Sequence, residues 1–477
     1  MIWSISWKNI WRNKVRSGVV IAAVTLGIFG GVFSTAIMIG MLDHRIKEAI
    51  GNEVSHIQVH NEKYLENNET KYVIENIDLL NDSIKKIKEV KAVSSRIKVF
   101  AMASTSGSAS GVIIKGVDPE AEKLVSGIPE MIVSEGSKYL APDAKKPIFI
   151  GDKLARELKL IRFEIDDNTL EILESKKSLK KLIPELKTLS GSKFRKEEEF
   201  AKAVISVLGK VSYDKHEYLF KNSAIRYKIR NKIVLSYQSV DGNIVYDAYR
   251  VAGVYRTNNT TFDALNVYVK KSDICPNLGL EENQANELAV LLKANEGEDK
   301  IAAYIKSLEI NNLSVQTWMD LLPDISMYNE YMDFFLVYIV GILLLAMGFG
   351  IVNTMLMAVL ERVKELGMLM AVGMNKLRVF SMIMLETVLL CMVGAVFGMI
   401  ISYLLILYTA ENGIDLSAMY QEGMEAWGFS AHLYPKIGWD SLIQVTGLVV
   451  ITGILASIYP ARKALKLKPS EALRIDM

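Results

Sequence analysis

Four long apolar segments interrupt a chain of otherwise mixed polarity. They are Ser17–Leu42, Phe334–Leu360, Val379–Tyr408 and Ser441–Tyr459, and Glu386 in the third is their only charged residue. An α-helix rises about 1.5 Å per residue, so about 20 apolar residues cross a hydrocarbon core about 30 Å thick. The pattern therefore predicts four transmembrane helices with these bounds.

Residues 43–333, between the first two apolar segments, have the composition of a water-exposed domain. Alternating apolar and polar residues predict strands, and apolar residues three or four apart predict helices. The predicted strands are Val54–His60, Arg96–Ala103, Gly111–Val117, Pro147–Ile150, Ile233–Gln238, Ile244–Val254, Ala264–Val269, Glu287–Lys293 and Leu313–Thr317. The predicted helices are Ile77–Lys88, Gly151–Leu160 and Asp299–Leu308. Their mixed order predicts an α+β domain with two subdomains.

One stretch of this domain, residues 162–228, differs from the rest in its high content of Lys and Glu. Helical patterns cover Leu170–Leu189 and Lys196–Leu208. A charge run of this kind is typical of a solvated helical face, and it is also compatible with an inserted surface that binds a partner. The sequence predicts a charged helical insertion and leaves its role open.

The N-terminal residues 1–16 form an amphipathic pattern. Trp3, Trp7 and Trp11 recur every four residues, and the stretch carries four positive charges and no acid. Tryptophan rings and basic side chains both favour the membrane interface. We therefore expect a helix that lies in the interface and leads into the first span.

Charge bias orients the predicted spans. The N-terminus, the connection 361–378 and the tail 460–477 are basic or mixed, whereas Thr409–Pro435 carries four acids and no Lys or Arg. Positively charged loops stay on the cytoplasmic side. The expected topology has both termini and the 361–378 connection inside, with the 43–333 domain and the 409–440 loop outside.

The composition favours a membrane protein over a nucleic-acid-binding protein. Half of the 477 residues are hydrophobic and the formal net charge is only +2, and the mean hydropathy is +0.20. Such values are typical of chains with several spans. Cys275 and Cys391 are expected outside and within the membrane respectively, so they could not pair within one chain.

The sequence offers little support for an enzyme. It contains no G-x-x-x-x-G-K-[ST] phosphate loop, no H-E-x-x-H and no G-x-S-x-G motif. His56 and His60 would share one face of a predicted strand, but no Cys or carboxylate cluster joins them. We predict no catalytic residue, no metal site and no cofactor bound by this chain.

The short connection Glu361–Arg378 joins the second and third predicted spans. Charged residues stand at both of its ends, and an apolar middle, which includes Met368 and Val372, is bracketed by Gly367 and Gly373. This pattern predicts a short amphipathic helix that lies across the mouth of two membrane helices. A solvated hairpin loop is the alternative that the local pattern also allows.

Five residues in the predicted spans stand out for other reasons. Glu386 is an ionisable group in a membrane helix, which is costly unless the group faces protein or water. It has either a structural role, at the interface or against a neighbouring helix, or a role in substrate or proton passage. Gly27 with Gly31 and Gly394 with Gly398 have the four-residue spacing that lets helix backbones approach closely.

At this point two blocks of sequence resemble a known family. NTMLMAVLERVKELGMLMAVGMNKLRVFSMIMLE (Asn353–Glu386) and YPARKALKLKPSEALR (Tyr459–Arg474) are similar to FtsX-type and MacB-type ABC transporter permeases, most closely to LolC and LolE of lipoprotein-releasing systems. The residues that match are Glu361, Arg362, Glu365, Gly367, Ala371, Gly373 and Glu386 in the first block, and Tyr459, Pro460, Ala461, Arg462, Pro469, Glu471, Ala472 and Arg474 in the second. The outside domain resembles the MacB periplasmic core more loosely, and the 162–228 stretch is longer than the family's turn there.

The resemblance implies a permease in a bacterial inner membrane that pairs with a second copy or a paralogue and recruits a cytoplasmic ATPase dimer, which uses ATP and Mg. It implies mechanotransmission, in which the spans convert ATP hydrolysis inside into movement of the periplasmic domain. Glu361, Arg362, Glu365, Gly367, Ala371 and Gly373 would then belong to the coupling helix that docks on a separate ATPase.

The expected function is release of lipoproteins from the outer leaflet, with membrane lipids and a periplasmic lipoprotein carrier as further partners. Drug or peptide efflux of the MacB kind and control of cell-wall hydrolases of the FtsX kind are alternatives. An alternative of another class is a membrane-anchored receptor or structural protein without an ATPase.

Overall fold

The computed structural model describes residues 2–134, 136–141, 144–176, 179–294, 297–308 and 312–465. The helices are α1 Ile2–Arg12, α2 Lys14–Glu48, α3 Glu62–Asn67, α4 Ile77–Lys85, α5 Pro119–Val125, α6 Asp152–Glu157, α7 Asp167–Ser175, α8 Ile183–Leu186, α9 Glu197–Leu208, α10 Lys210–Ala224, α11 Thr260–Leu265, α12 Lys271–Leu278, α13 Glu298–Lys306, α14 Trp318–Leu321, α15 Pro323–Glu330, α16 Met332–Glu361, α17 Val363–Ala371, α18 Lys376–Asn412, α19 Ser417–Ala426 and α20 Trp439–Leu465. The strands are β1 Ile57–Asn61, β2 Val90–Ser104, β3 Ala109–Val117, β4 Pro147–Gly151, β5 Ile161–Ile165, β6 Ser192–Phe194, β7 Ile225–Tyr227, β8 Lys232–Gln238, β9 Ile244–Tyr255, β10 Asn266–Lys270, β11 Glu287–Leu292, β12 Leu313–Thr317, β13 Ile414–Asp415 and β14 His432–Leu433.

Four helices in the described part of the chain, α2, α16, α18 and α20, are long and apolar enough to cross a membrane. We call them the first to fourth spans. An α+β domain lies in the chain between the first and the second, which confirms the predicted fold class. The spans belong to one unit, formed by residues 1–44, 327–414 and 432–477 and called the membrane unit below.

The third span packs closely against the first through its glycines. A Cβ atom built on Gly394 would lie 2.8 Å from the Val24 Cβ, and one on Gly398 would lie 2.8 Å from the Ile28 Cβ. Real Cβ atoms do not approach other carbons so closely, so these positions require glycine. Within the membrane unit the helix backbones therefore meet at small residues, as close packing without a hydrophobic driving force requires.

The glycines of the first span lie against two other spans. A Cβ atom on Gly27 would lie 2.6 Å from the Sδ of Met347 in the second span. A Cβ atom on Gly31 would lie 3.1 Å from Val445 in the fourth. The first span thus contacts the other three.

A closer contact involves Gly40, which no pattern in the sequence marks. Its missing Cβ would lie 2.2 Å from the carbonyl oxygen of Tyr434. The Lys436 amide donates to the Ala36 carbonyl at 2.9 Å, and the Lys436 ammonium lies 3.1 Å from Asp43. The end of the first span and the segment before the fourth are therefore joined backbone to backbone.

Residues 45–326 and 415–431 form the second unit, which we call the large domain. Six of its strands close into a barrel in the order β2-β3-β10-β4-β9-β8, because β8 pairs with β2 as well as with β9. Strands β12, β1 and β11 continue the sheet from the other half of β2. The 15 residues of β2 therefore belong to both the barrel and the outer sheet.

The sequence locates all nine strands of the barrel and the outer sheet, since each predicted run overlaps one of them. The start of the first was wrong. Ala49–Val54 form a π-helix that follows α2 directly, and β1 begins only at Ile57. Ser55, between them, has a positive φ of 70°. The helix of the first span is continued by this π-helix, which the alternating pattern of 54–60 does not reveal. The strand therefore starts three residues later than predicted.

The insertion is more than the charged helices that the sequence predicts. Strands β5, β6 and β7 form a separate three-stranded sheet, and Phe163, Phe200 and Phe220 belong to a hydrophobic core of its own. The Lys228 amide donates to the Leu160 carbonyl at 2.8 Å, so the two ends of the insertion meet. Short strands with flanking charges lack the long alternation on which strand prediction relies.

The acidic connection between the third and fourth spans also differs from the prediction of a plain loop. The third span continues to Asn412, and α19 then belongs to the large domain. Glu425 near the end of α19 is buried, with its carboxylate 3.0 Å from the Arg256 guanidinium. The Arg256 guanidinium also donates to the hydroxyl of Tyr218 in the insertion at 2.8 Å.

Candidate ATPase-coupling site

The predicted amphipathic helix in the 361–378 connection is α17. It begins after Arg362 and ends before Gly373, whose φ of 100° favours glycine. Val363, Leu366 and Gly367 are buried on one side. The helix therefore lies against the membrane unit by one face, and the alternative of a plain hairpin loop does not hold for this segment.

Glu365 in α17 is held by two arginines. Both of its carboxylate oxygens accept from Arg12 of α1 at 2.6 Å, and the Arg362 guanidinium lies 3.1 Å away. The hydrogen bond from Arg12 lowers the pKa of the Glu365 carboxyl below its usual value. Charge-assisted bidentate bonds of this kind fix orientation as well as charge. The interfacial helix and α17 are thus joined by one carboxylate.

Arg362 also pairs with a carboxylate within the spans. Its Nη1 donates to the Glu386 carboxylate of the third span at 3.1 Å. The side chains are 14% and 9% exposed, so most of the pair is withdrawn from solvent. Glu386 therefore has a structural partner at the end of the second span, and its burial is compensated by an opposite charge.

The interfacial helix α1 packs against the third span. Ile10 is fully buried, and the Ser6 hydroxyl donates to the Met382 carbonyl at 3.3 Å. Trp3, Trp7 and Trp11 point away from this contact and are 42–59% exposed. The tryptophan face is therefore available to the membrane interface, as the amphipathic pattern predicts.

The outer face of the connection is apolar. Met368, Val372 and Leu377 are 55%, 85% and 69% exposed within the chain. Exposed apolar patches are typical of interaction surfaces. This face is therefore the candidate binding surface of the connection.

The remaining predicted coupling residues lie around this face. Glu361 is the last residue of the second span, Gly367 is buried in α17, and Ala371 ends α17 in an exposed position. Their role in coupling stays a prediction. The sequence alone does not reveal Arg12 as the partner of Glu365, because a contact over 353 residues leaves no local signal.

The second sequence block is described only in part. Tyr459, Pro460, Ala461 and Arg462 lie in the last turns of the fourth span, where Pro460 and Ala461 are buried. The matching residues Pro469, Glu471, Ala472 and Arg474 lie outside the described residues.

The two histidines singled out by the sequence are buried in the large domain. His56 Nδ1 accepts from the Leu292 amide at 3.2 Å, and His60 contacts Gln58 and the Asn286 carbonyl at 2.9 and 3.0 Å. Within the described ranges, no group of three or more His, Cys, Asp or Glu side chains could hold a metal ion. Both rings are therefore held by these contacts in the interior of the large domain.

The membrane region is similar to known proteins. Residues 337–469 match the family model for the FtsX-like permease C-terminal region. An uncharacterized ABC transporter permease of Methanocaldococcus jannaschii is 26% identical over 231 residues, which cover 47% of this chain and 55% of that protein. The macrolide export ATP-binding/permease protein MacB of Escherichia coli K12 is 29% identical over 235 residues, which cover 47% of this chain and 33% of MacB.

Solved structures give a weaker likeness. The extracellular domain of the ABC-type transporter YknZ from Gram-positive bacteria is 10% identical with a TM-score of 0.29, over 55% of this chain and 99% of that one. The periplasmic region of MacB from Actinobacillus actinomycetemcomitans is 9% identical, also with a TM-score of 0.29, over 59% of this chain and 98% of that one.

The chain thus spans about half of the archaeal relative and a third of MacB. A particular closeness to LolC and LolE stays a prediction. Residues 337–469 are thus similar to the C-terminal region of FtsX-like permeases, and about half of the chain is similar to ABC transporter permeases, MacB among them.

Proposed function

We propose that the chain is the membrane subunit of an ABC transporter and that α17 is the helix on which a cytoplasmic ATPase docks. One observation carries this proposal: an apolar face formed by Met368, Val372 and Leu377 is exposed on a segment whose other face is fixed to the spans. A docking surface that transmits force needs both properties. It must bind a partner, and it must not yield when the partner moves.

Ion pairs between α17 and its neighbouring helices keep the docking surface from yielding. Arg12, Glu365, Arg362 and Glu386 form one continuous series from the interfacial helix through α17 to the third span. A displacement of α17 therefore moves the third span and α1 with it. In the proposed mechanism this motion continues to the large domain, which changes shape while the spans form no pore for cargo.

The energy source lies outside these residues. The sequence has no phosphate loop that could bind ATP. We propose that an ATPase dimer uses ATP with Mg and that a second permease, identical or paralogous, provides the second docking site. The chain itself then binds no cofactor, and its contribution is mechanical.

The docking proposal is tested with Val372→Asp. A carboxylate at the centre of an apolar contact would have to be buried without a partner, which weakens binding. We expect the ATPase that co-purifies with the intact chain in detergent to be lost or reduced at least tenfold. Val211→Asp in the insertion is the matched control, since Val211 is also 85% exposed.

Unchanged recovery of an ATPase with Val372→Asp would contradict docking at this face. Absence of any ATPase from the wild-type preparation, in cells that express all neighbouring genes, would favour the receptor or structural alternative. Both variants should elute as a single species in size-exclusion chromatography, which separates loss of docking from loss of fold.

For cargo we propose release of lipoproteins from the outer leaflet of the cytoplasmic membrane. The first and second spans carry no charge over their apolar segments, and acyl chains that enter from the leaflet require uncharged surfaces. Vesicles that contain the complex and a labelled lipoprotein should release it to a soluble acceptor when ATP is added. If the lipoprotein stays in the vesicles although ATP and the acceptor are present, the proposal of lipoprotein release is wrong.

Export of small molecules or peptides is a second candidate, favoured by the similarity to macrolide export proteins. It predicts that deletion of the gene lowers resistance to such compounds while lipoprotein localisation is unchanged. Control of cell-wall hydrolases instead predicts a division defect. A neighbouring gene for a lipoprotein carrier, a transport adaptor or a hydrolase would separate the three.

A further inference from the structure

The interfacial helix α1 carries two neighbouring stripes on its exposed side. Trp7 and Trp11 form one stripe, with their ring centres 6.0 Å apart in an edge-to-face contact. Lys8 and Arg12 have the same four-residue spacing and form the stripe beside it, and both are exposed. Residues 2–12 contain no Asp or Glu. The exposed side of α1 is therefore both aromatic and cationic.

The other side of α1 is fixed within the membrane unit. Ile10 is fully buried, and the Ser6 hydroxyl donates to the Met382 carbonyl at 3.3 Å. The Ser17 hydroxyl, at the start of the first span, donates to the Ile10 carbonyl at 2.5 Å. Met382 lies near the start of α18, which follows α17 in the chain. A molecule that binds the exposed side of α1 is therefore held close to α17.

Arg12 uses only part of its guanidinium for the ion pair with α17. Both hydrogen bonds to the Glu365 carboxylate come from Nη2, at 2.6 Å, so the N–H groups on Nε and Nη1 take no part in this pair. Glu365 has a second counter-charge, because the Arg362 guanidinium lies 3.1 Å from it. The Arg12 guanidinium can therefore hold the Glu365 carboxylate and a second anion at the same time.

The pair between Arg12 and Glu365 is weak without further support. Its side chains are 55% and 45% exposed, and ion pairs this exposed contribute little because water and salt screen them. A second anion on Arg12 would order the guanidinium and so strengthen its hold on α17. The position of α17 then depends on what binds α1.

We propose that α1 binds the headgroup of an anionic phospholipid, with the lipid phosphate between Lys8 and Arg12. Indole rings favour the level of the headgroups, and basic side chains on an amphipathic helix attract anionic lipids. Arginine suits phosphate oxygens because it offers paired N–H groups. A zwitterionic lipid carries a cation beside the same phosphate, and the Lys8 ammonium repels it. Arg12 then joins the lipid phosphate to the Glu365 carboxylate.

The lipid contact has a consequence for coupling that rests on the proposed function. Anionic lipid fixes Arg12 and, through Glu365, the helix on which we propose that the ATPase docks. In a membrane without anionic lipid, only the exposed pair joins α1 to α17. Anionic lipid is thus a regulator of the docking helix.

The test follows amide hydrogen exchange of the intact chain in detergent while dioctanoyl phosphatidylglycerol or dioctanoyl phosphatidylcholine is added. In wild type, phosphatidylglycerol should slow exchange in residues 2–12 and 363–371 by about threefold or more, and phosphatidylcholine should not. Lys8→Gln/Arg12→Gln should lose both effects. The control Lys376→Gln/Arg378→Gln removes two exposed charges from the 361–378 connection and should respond as wild type.

Two single variants separate lipid binding from the contact with α17. Glu365→Gln keeps Arg12, so phosphatidylglycerol should still slow exchange in residues 2–12, but its effect on residues 363–371 should disappear. Lys8→Gln leaves the pair of Arg12 and Glu365 intact and should raise the phosphatidylglycerol concentration needed by about threefold or more. This variant keeps the test decisive if the double variant does not fold.

Three results would overturn the proposal. They are equal slowing by the two lipids, no slowing by either, and a response of the Lys8 and Arg12 variants equal to that of wild type. Slowing in residues 2–12 of wild type without slowing in residues 363–371 would overturn the bridge to α17. No ATPase is present in this experiment, whereas Val372→Asp tests docking, so failure of one proposal can be told from failure of the other.

Discussion

The guanidinium of Arg362, at the end of the second span, lies 3.1 Å from the carboxylate of Glu386 in the third. The two residues are 24 positions apart and are separated by α17. This pair joins the two spans that α17 connects. In the proposed mechanism, transmission of force from α17 therefore depends most on this pair.

Removal of one partner should destabilise the membrane unit. Arg362→Met leaves the Glu386 carboxylate without this opposite charge in a mostly buried position, which costs about 3–5 kcal/mol when one partner of a buried pair is lost. We expect a clear fall of the thermal unfolding midpoint in detergent. Arg378→Met, at an exposed position of the same connection, is the control and should change the midpoint little.

The double variant Arg362→Met/Glu386→Leu sharpens this test. If the pair accounts for the loss, the double variant should be more stable than Arg362→Met alone, because no charge remains buried. Additive losses in the double variant would show instead that each side chain acts separately.

Contact between the first and third spans gives a second prediction. Gly394→Ala places a Cβ where Val24 and the Ile21 carbonyl already lie within 2.8–3.1 Å. Overpacking of this kind costs about 1–3 kcal/mol. Gly350→Ala in the second span meets no atom within 4 Å and should leave the unfolding midpoint unchanged or raise it. Equal behaviour of the two variants would argue against close packing at Gly394.

Lys115 in the barrel gives a prediction about pH. Its side chain is 4% exposed, its Nζ lies 4.7 Å from the Phe262 ring centre, and burial lowers its pKa to about 7. Between pH 7 and its ordinary value of 10.5 the folded chain has lost a proton that the unfolded chain keeps. Stability of the large domain should therefore rise with pH in this window.

Lys115→Met should remove this dependence. At about 1.36 kcal/mol per pKa unit, the rise in wild type has an upper bound of roughly 5 kcal/mol. The unfolding midpoint is measured from pH 6 to pH 9.5, a window that covers most of the titration, and the variant should show a flatter profile with a higher midpoint at the acid end. Lys232→Met is the control and should keep the wild-type profile. A Lys115→Met profile parallel to those of wild type and the control would show that the pH dependence does not come from Lys115.

Glu425 gives a prediction about the link between α19 and the rest of the large domain. Its carboxylate contacts Arg256 at 3.0 Å and is 5% exposed. Glu425→Ala should increase amide hydrogen exchange in residues 417–426 by about tenfold or more, which corresponds to a loss of about 1.4 kcal/mol in local stability. Glu422→Ala, on the exposed side of the same helix, should leave exchange unchanged.

The sequence predicted the features that depend on residues close together in the chain. The spans follow from runs of apolar residues, and α17 follows from charges and glycines at its ends. Glu386 was recognised as costly in a membrane, but its partner Arg362 was not identified, because the pairing depends on how two spans and α17 pack. Gly40 shows the same limit, since only the folded chain brings the Tyr434 carbonyl to it.

The large domain shows where a pattern misleads. Residues 162–228 have helical charge patterns and yet contain a three-stranded sheet, since strands of three to five residues bury little and leave little signal. Closure of the barrel by β2 and β8 joins residues far apart in sequence. No local rule contains that pairing.

The hydrogen bond between the Lys228 amide and the Leu160 carbonyl has a consequence for how such a chain can change over time. Because the insertion leaves and re-enters the barrel at neighbouring residues, its length and content are free to vary without any change in the register of β4, β8 or β9. The barrel can therefore keep its structure while the insertion varies, and the barrel strands around the insertion keep their pairing.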